Sequence, residues 1–343
     1  MSVWRDLTDP RRVAEGVDWE AGLKEPIFEN LEIPEELGPV TLVVDDHKIK
    51  RYAFTQDDYH PWHLSASPLG ERIAHAGLLT NDIVQLFTTR YAASRTVGLH
   101  TEEQLWYDDA VRLGEQVTLT GRYVEAYQRR GQGYVVMEAA ATGEDGRSLL
   151  RARGVEILRT VPGEIAGRGS TQADSAAAPG RVTGEFDASL PFADRAGTGL
   201  RIGQPLTPLA KTITQEQASV FSRTGEYVRN VHADLDLARK AGLRIPIVQG
   251  QQQCGLVTEL LTRFFGLRWF TSGWVRTKFV NPVEVFEPLE VGGVVTDLTE
   301  QDGRIVAAEL HVWVRRADGR LSTVGWASCE VEETAETEPT NPT

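Results

Sequence analysis

The sequence predicts an α+β chain made of two copies of one unit, each a long helix wrapped by a curved antiparallel sheet. Three observations predict it. An apolar stripe at helical spacing occurs twice, at Leu79, Ile83, Leu86, Phe87 and Tyr91 and again at Val257, Leu260, Leu261, Phe264 and Phe265. After each stripe, alternating strands turn on an Asp-Gly pair, Asp145-Gly146 in one half and Asp318-Gly319 in the other, a strong hairpin signal. The two turns are displaced by 173 positions, and so are Trp106 and Phe279. A displacement shared by separate features marks a duplication.

The elements follow in the same order in both halves. Trp106–Val111 leads through Leu113-Gly114-Glu115 into the alternating strand Val117–Thr120, and a long strand, Gly133–Ala141, meets the first Asp-Gly turn. In the second half Phe279–Val283 leads to Leu289–Val291, and Ile305–Val314 meets the second turn before Ser322–Val331 returns. A helix with one apolar face must bury it against the sheet that follows. This is the hotdog arrangement, and a chain with two such units pairs them edge to edge within itself as a tandem double hotdog. Residues 163–187 are rich in Gly, Ala, Ser and Thr and carry no apolar period, so they read as linker. The expected organisation is therefore a first unit over 1–161, a linker over 162–195, a second unit over 196–332 and a disordered Glu/Thr/Pro tail over 333–343.

Composition narrows the function. The chain has 343 residues, 41% hydrophobic and 25% charged, as in ordinary globular proteins. The net charge of −13 argues against nucleic acid, whose phosphates need a basic face. No apolar run is long enough to span a bilayer, and the first residues lack the apolar core of a secretory signal, so a cytoplasmic location is expected. Two cysteines, Cys254 and Cys329, make a disulfide framework or thiolate metal site improbable. The seven histidines lack acidic or Cys partners at metal-ligand spacing, and there is no glycine-rich phosphate loop, so neither metal nor other cofactor is expected.

The chemistry-bearing stretch is Tyr52–His63, just before the first stripe: Asp58, Pro61 and His63 stand there with an Asp-to-His interval of five. It resembles the signature of MaoC-like R-specific enoyl-CoA hydratases and 3-hydroxyacyl thioester dehydratases, an Asp, then Asn-Pro, then His. His60 replaces the family's Asn. The resemblance implies that Asp58 and His63 hold and activate one water for addition across a 2-enoyl thioester, or remove it in the reverse reaction. The thioester would be carried on coenzyme A or an acyl carrier protein. It also implies an oxyanion site at the start of the helix, where His75-Ala76-Gly77 stands with Ala76 in place of the family's Gly. The backbone donor is then Ala76 or Gly77. His60, His75, Gln249 and Gly250 are expected around the substrate.

In the second half His232 falls where that family's His would be, but Tyr227 occupies the Asp position and Glu226 is one step off register. The simplest expectation is a degenerate copy that shapes the acyl pocket, with Glu226 and His232 as a second candidate site. Two other readings stay open. A hotdog thioesterase would use an acid on a long helix, for which Asp82 and Glu259 qualify, and a non-catalytic acyl-CoA-binding subunit would need neither pair. The tandem supplies a complete pair of units in one chain and leaves homodimerisation open.

Overall fold

A computed structural model describes residues 20–96, 98–129, 131–158, 180–222 and 230–332. Ten strands form one antiparallel sheet: β1 (Glu35–Val43), β2 (Gly98–Tyr107), β3 (Gln116–Arg129), β4 (Gln132–Gly143), β5 (Ser148–Leu158), β6 (Leu209–Thr212), β7 (Trp274–Phe279), β8 (Pro288–Gln301), β9 (Arg304–Arg316) and β10 (Leu321–Glu330). Their order is β1-β3-β4-β5-β2-β7-β10-β9-β8-β6, so each half repeats the other's order outward from the centre. The halves join where β2 pairs with β7, from Glu102 opposite Lys278 to Trp106 opposite Trp274. This is the edge-to-edge pairing that the tandem predicts. At both Asp-Gly turns the glycine takes a positive φ, 80° at Gly146 and 81° at Gly319, where a side chain would be strained.

The helices are α1 (Asp46–Gln56), α2 (Pro61–Leu64), α3 (Thr80–Val84), α4 (Gln215–Phe221), α5 (Leu235–Lys240), α6 (Gly250–Phe265) and α7 (Trp269–Ser272). The second stripe is the long α6, buried along almost its whole length, with Leu256, Val257, Leu260, Leu261 and Phe264 in the common core. The first stripe does not run so far as an α-helix. Only Thr80–Val84 is α, Gln85–Thr89 tightens to 3-10, and Tyr91 has left the helix for a bridge to Lys24. The Thr89 hydroxyl bonds back to Leu86 O at 2.7 Å and accepts Gly38 N–H at 3.1 Å, a local competition with helix hydrogen bonding. Leu79, Ile83 and Leu86 are still fully buried, so the stripe marks the core face correctly and overstates only its length.

Residues 180–195, expected as linker, pack onto the second unit. Val182 is buried with Val294 and Trp313, Gly180 O accepts the Trp326 indole N–H at 2.8 Å, and Ala193 pairs with Leu206. Their aromatic and branched residues, Val182, Phe186 and Phe192, give this stretch apolar surface that the preceding Ala/Ser/Thr run lacks. The rest of the linker from 162 to 179, the tail over 333–343, and Glu226 with Tyr227 lie outside the described residues. Among the described residues no helix is long and apolar enough to cross a membrane.

Candidate active site

The site begins where α1 ends. Asp57 takes a left-handed conformation, φ 51°, and turns the chain so that Asp58 points inward, 5% exposed. That turn is fastened from the other half. The Lys211 ammonium, on β6, donates to Gln56 O at 3.0 Å and Asp57 O at 2.8 Å. His60 caps α2 through its ring nitrogen, which accepts Trp62 N–H at 3.4 Å, and Pro61 follows at the first helical position, where its missing N–H costs nothing. His60 thus fills a capping position, and its ring packs edge-on against Trp62.

His63 is 1% exposed, and its Nδ1–H donates to Ile73 O at 2.9 Å, which leaves Nε2 as a lone pair facing the interior. Arg72 donates twice to His63 O, at 2.9 and 2.8 Å, and fixes the ring's backbone. His75 stacks on His63 with centroids 3.7 Å apart and planes at 27°. Its Nε2 donates to Asp58 O at 3.0 Å and lies 3.6 Å from Asp58 Oδ2. Asp58 Oδ1 accepts His60 N–H at 3.2 Å, so the carboxylate also serves its own turn.

A small cavity opens on this group, lined by Asp58, His63, His75, Ala76 and Gly77 from the first half. The amides of Ala76 and Gly77 make no hydrogen bond among the described residues. Ala76 is partly buried and packs against Ile73, Ala110 and Phe270. The opposite wall is α6 of the second half, through Gly255, Thr258, Glu259 and Thr262. Glu259 is 4% exposed, 2.7 Å from Lys211 Nζ and 2.7 Å from Arg263 Nη2, which in turn stands 3.9 Å from Asp58 Oδ1.

Burial sets the protonation states. It pushes His63 down to about 3, helped by the adjacent His75, and it lowers His75 against the opposing pull of Asp58. Both imidazoles are therefore neutral at physiological pH and able to accept a proton. Burial, and then the charge of Asp58, raise the Glu259 carboxyl to about 7 against the opposing Lys211. Asp58, His63 and His75 each offer a ligand atom within 4.8 Å of the others, a two-His, one-carboxylate set that spacing along the chain did not reveal. His63 Nδ1 is spent on Ile73 O and His75 Nε2 on Asp58 O, so each ring has one nitrogen left to offer an ion.

Of the residues expected around the substrate, the structure brings together Asp58, His63, His75, Ala76 and Gly77. His60 borders the group, 5.8 Å from the His63 ring, without lining the cavity. Gln249 and Gly250 stand at the start of α6 and do not line it; Gly250 lies against Phe279, and the neighbouring Gln251 reaches His100 at 3.3 Å. His232 repeats the bond of His63, with Nδ1–H donating to Ile247 O at 2.8 Å, and burial lowers it to about 4. Asp82 pairs with Lys48 at 2.7 Å beside a separate recess, whereas Glu259 shares the cavity of Asp58. Sequence reasoning missed Tyr52, Gln56 and Lys211. The four-residue interval of Tyr52 and Gln56 on one helix was the available signal for the first two; nothing local could point to Lys211.

No protein-family model matches the chain, and no curated protein matches its sequence. Its fold is similar to that of solved structures. One described as a MaoC-like dehydratase, 14% identical, is matched over 90% of this chain and 100% of that one with a TM-score of 0.67. A putative MaoC domain protein dehydratase from Chloroflexus aurantiacus, 11% identical, is matched over 91% and 98% with a TM-score of 0.66. A Mycobacterium tuberculosis protein described as having a double hotdog fold, 14% identical, is matched over 89% and 98% with a TM-score of 0.60. The double hotdog fold is thus shared along nearly the whole chain.

Proposed function

We propose that the chain is a MaoC-like hydratase or dehydratase that interconverts a 2-enoyl thioester and a 3-hydroxyacyl thioester, with Asp58 and His63 as its acid–base pair. The observation that carries this is the convergence of Asp58, the free Nε2 side of His63 and the amides of Ala76 and Gly77 in one buried cavity. In hydration, a water between the Asp58 carboxylate and His63 Nε2 loses a proton as its oxygen bonds to C3. The C2=C3 π electrons move to give an enolate whose oxygen faces the backbone amides, and the proton is delivered to C2. The sum is one water added across the double bond, and dehydration runs the same steps backwards. No cofactor takes part.

In this reading the first unit, 1–161, is catalytic and the second, 196–332, walls its pocket. The carrier is coenzyme A or an acyl carrier protein, and the setting is cytoplasmic. Glu259 favours a second reading, thioester hydrolysis, because a carboxyl poised near neutrality lies in the same cavity. One assay separates the two: a panel of 2-enoyl-CoAs is followed for loss of the enoyl absorbance and, in parallel, for release of free thiol. Hydration without thiol release, lost by about a thousandfold in Asp58→Asn and His63→Ala, is the expected result. Thiol release that survives both changes and disappears in Glu259→Gln would establish hydrolysis instead. Binding without either reaction would make the chain an acyl-CoA-binding subunit.

A further inference from the structure

Two polar side chains on α1 face the cavity with no protein partner. Tyr52 is 8% exposed and Gln56 1%, both line the cavity, and neither the Tyr52 hydroxyl nor either end of the Gln56 amide has a hydrogen-bond partner among the described residues. Buried polar groups are almost always paired, so orphans grouped at a cavity mark the place of a ligand's polar atom. Four residues apart, they lie on one face of the helix. Their polar ends converge: the Tyr52 hydroxyl and the Gln56 Nε2 are 2.7 and 2.8 Å from the point where a Gly255 Cβ would stand. A Cβ on Gly77 would collide with the same hydroxyl. Glycines from both halves thus clear the space around it, and one of them is a candidate oxyanion amide.

We propose that Tyr52 is a further catalytic residue, its hydroxyl donating to the thioester oxygen beside the Gly77 amide as the enolate forms, with the Gln56 N–H on the same oxygen. This rests on the hydratase reading above. Burial raises the phenol well above its ordinary value, so it stays a donor throughout the working range. The second half gives independent support. The offset of 169 that relates His63 to His232 relates Asp58 to Tyr227 and Tyr52 to Phe221, so the copy that lacks the carboxylate also lacks this hydroxyl. Phe221 keeps the ring and packs 6.2 Å from that of Tyr52. A role confined to packing would be served by Phe at both places.

The test is Tyr52→Phe, which keeps the ring, with Gln56→Leu as the second variant. For Tyr52→Phe, kcat is expected to fall ten- to a hundredfold with KM within about threefold of wild type and an unchanged or higher melting temperature, since an unpaired buried hydroxyl is removed. Gln56→Leu is expected to lower kcat less. A turnover-free readout accompanies these: the absorption band of cinnamoyl-CoA bound to Asp58→Asn, which moves to longer wavelength when donors polarise the carbonyl. The shift is expected to shrink in Asp58→Asn/Tyr52→Phe. Hydration at the wild-type kcat in Tyr52→Phe, or an equal shift with and without the hydroxyl, overturns this proposal alone. No hydration by wild type and no binding of the chromophore overturn the hydratase reading with it.

Discussion

Replacing Lys211 by Met removes one charge and keeps the volume, and its effect can be worked from the surroundings. Lys211 and Glu259 are 5% and 3% exposed at the side chain, 2.7 Å apart. Taking one partner from a buried pair strands the other, at a cost of about 3–5 kcal/mol. Arg263 still reaches Glu259, but at 45% side-chain exposure it is screened by water and recovers only part of this. For a chain of 343 residues the loss corresponds to a fall in melting temperature of roughly 4–7 °C.

The sign of the pH dependence follows from Glu259. Its folded value, about 7, is raised above the ordinary 4.5, so its contribution to stability is full below about 4.5 and is lost as pH rises through 7. Without Lys211 the value rises further, so the gap between variant and wild type widens above pH 7, by at most about 1.4 kcal/mol per pH unit. Thermal melts at pH 6 and pH 8 measure it. Lys211→Met/Glu259→Leu removes the stranded acid and is expected to recover most of the stability. It should not recover turnover, because the carbonyls of Gln56 and Asp57 still lack the ammonium that sets the Asp58 turn. A single variant as stable as wild type at pH 8, or a double variant no better than the single, would mean that Lys211 does not compensate a buried Glu259 charge.

Two further outcomes are expected. Gly77→Ala drives a methyl into the Tyr52 hydroxyl and should cost at least tenfold in turnover, and Gly77→Ala/Tyr52→Phe should regain part of the lost stability when both are compared by urea unfolding. At the β2–β7 join, burial disfavours the charged form of His100, but the hydrogen bonds that its ring donates to Glu103 at 2.7 Å and Glu156 at 3.2 Å outweigh it and raise the imidazole to about 10. Its stabilisation is full below about 6.5 and is lost as pH rises towards 10, so His100→Gln should destabilise at pH 6 and be nearly silent at pH 10 in the same unfolding measurement.

The parts of the fold that were legible are those coded locally. Alternation, the Asp-Gly turns and the repeated displacement located the central strands, since each depends on residues a few positions apart. The first stripe misled about helix length because Thr89 turns its hydroxyl onto the backbone and onto Gly38, a contact across 51 positions. The site divides the same way. Asp58, His63, His75, Ala76 and Gly77, which line one cavity, fall within 20 positions, a span that a short pattern can cover. Lys211 and Glu259 come from the other half and reach the same few ångströms only once the units have docked, and no spacing along the chain records that. Residues 180–195 were absorbed into the linker because Gly and Pro break any period there, although Val182 and Phe186 carry enough apolar surface to bind the sheet.

The covalent join of the halves has a consequence for stoichiometry. Two identical chains related by a two-fold axis must make every substitution twice, and so carry either two sites or none. Here the two copies are free to differ, and they do: Asp58 is matched by Tyr227, and sixteen-residue α6 by a five-residue α-turn. One copy can keep a reactive cleft open while the other supplies its back wall, with no obligation to serve both tasks at once. Saturation should therefore be reached at one acyl thioester per chain, with hyperbolic kinetics and no communication between equivalent clefts.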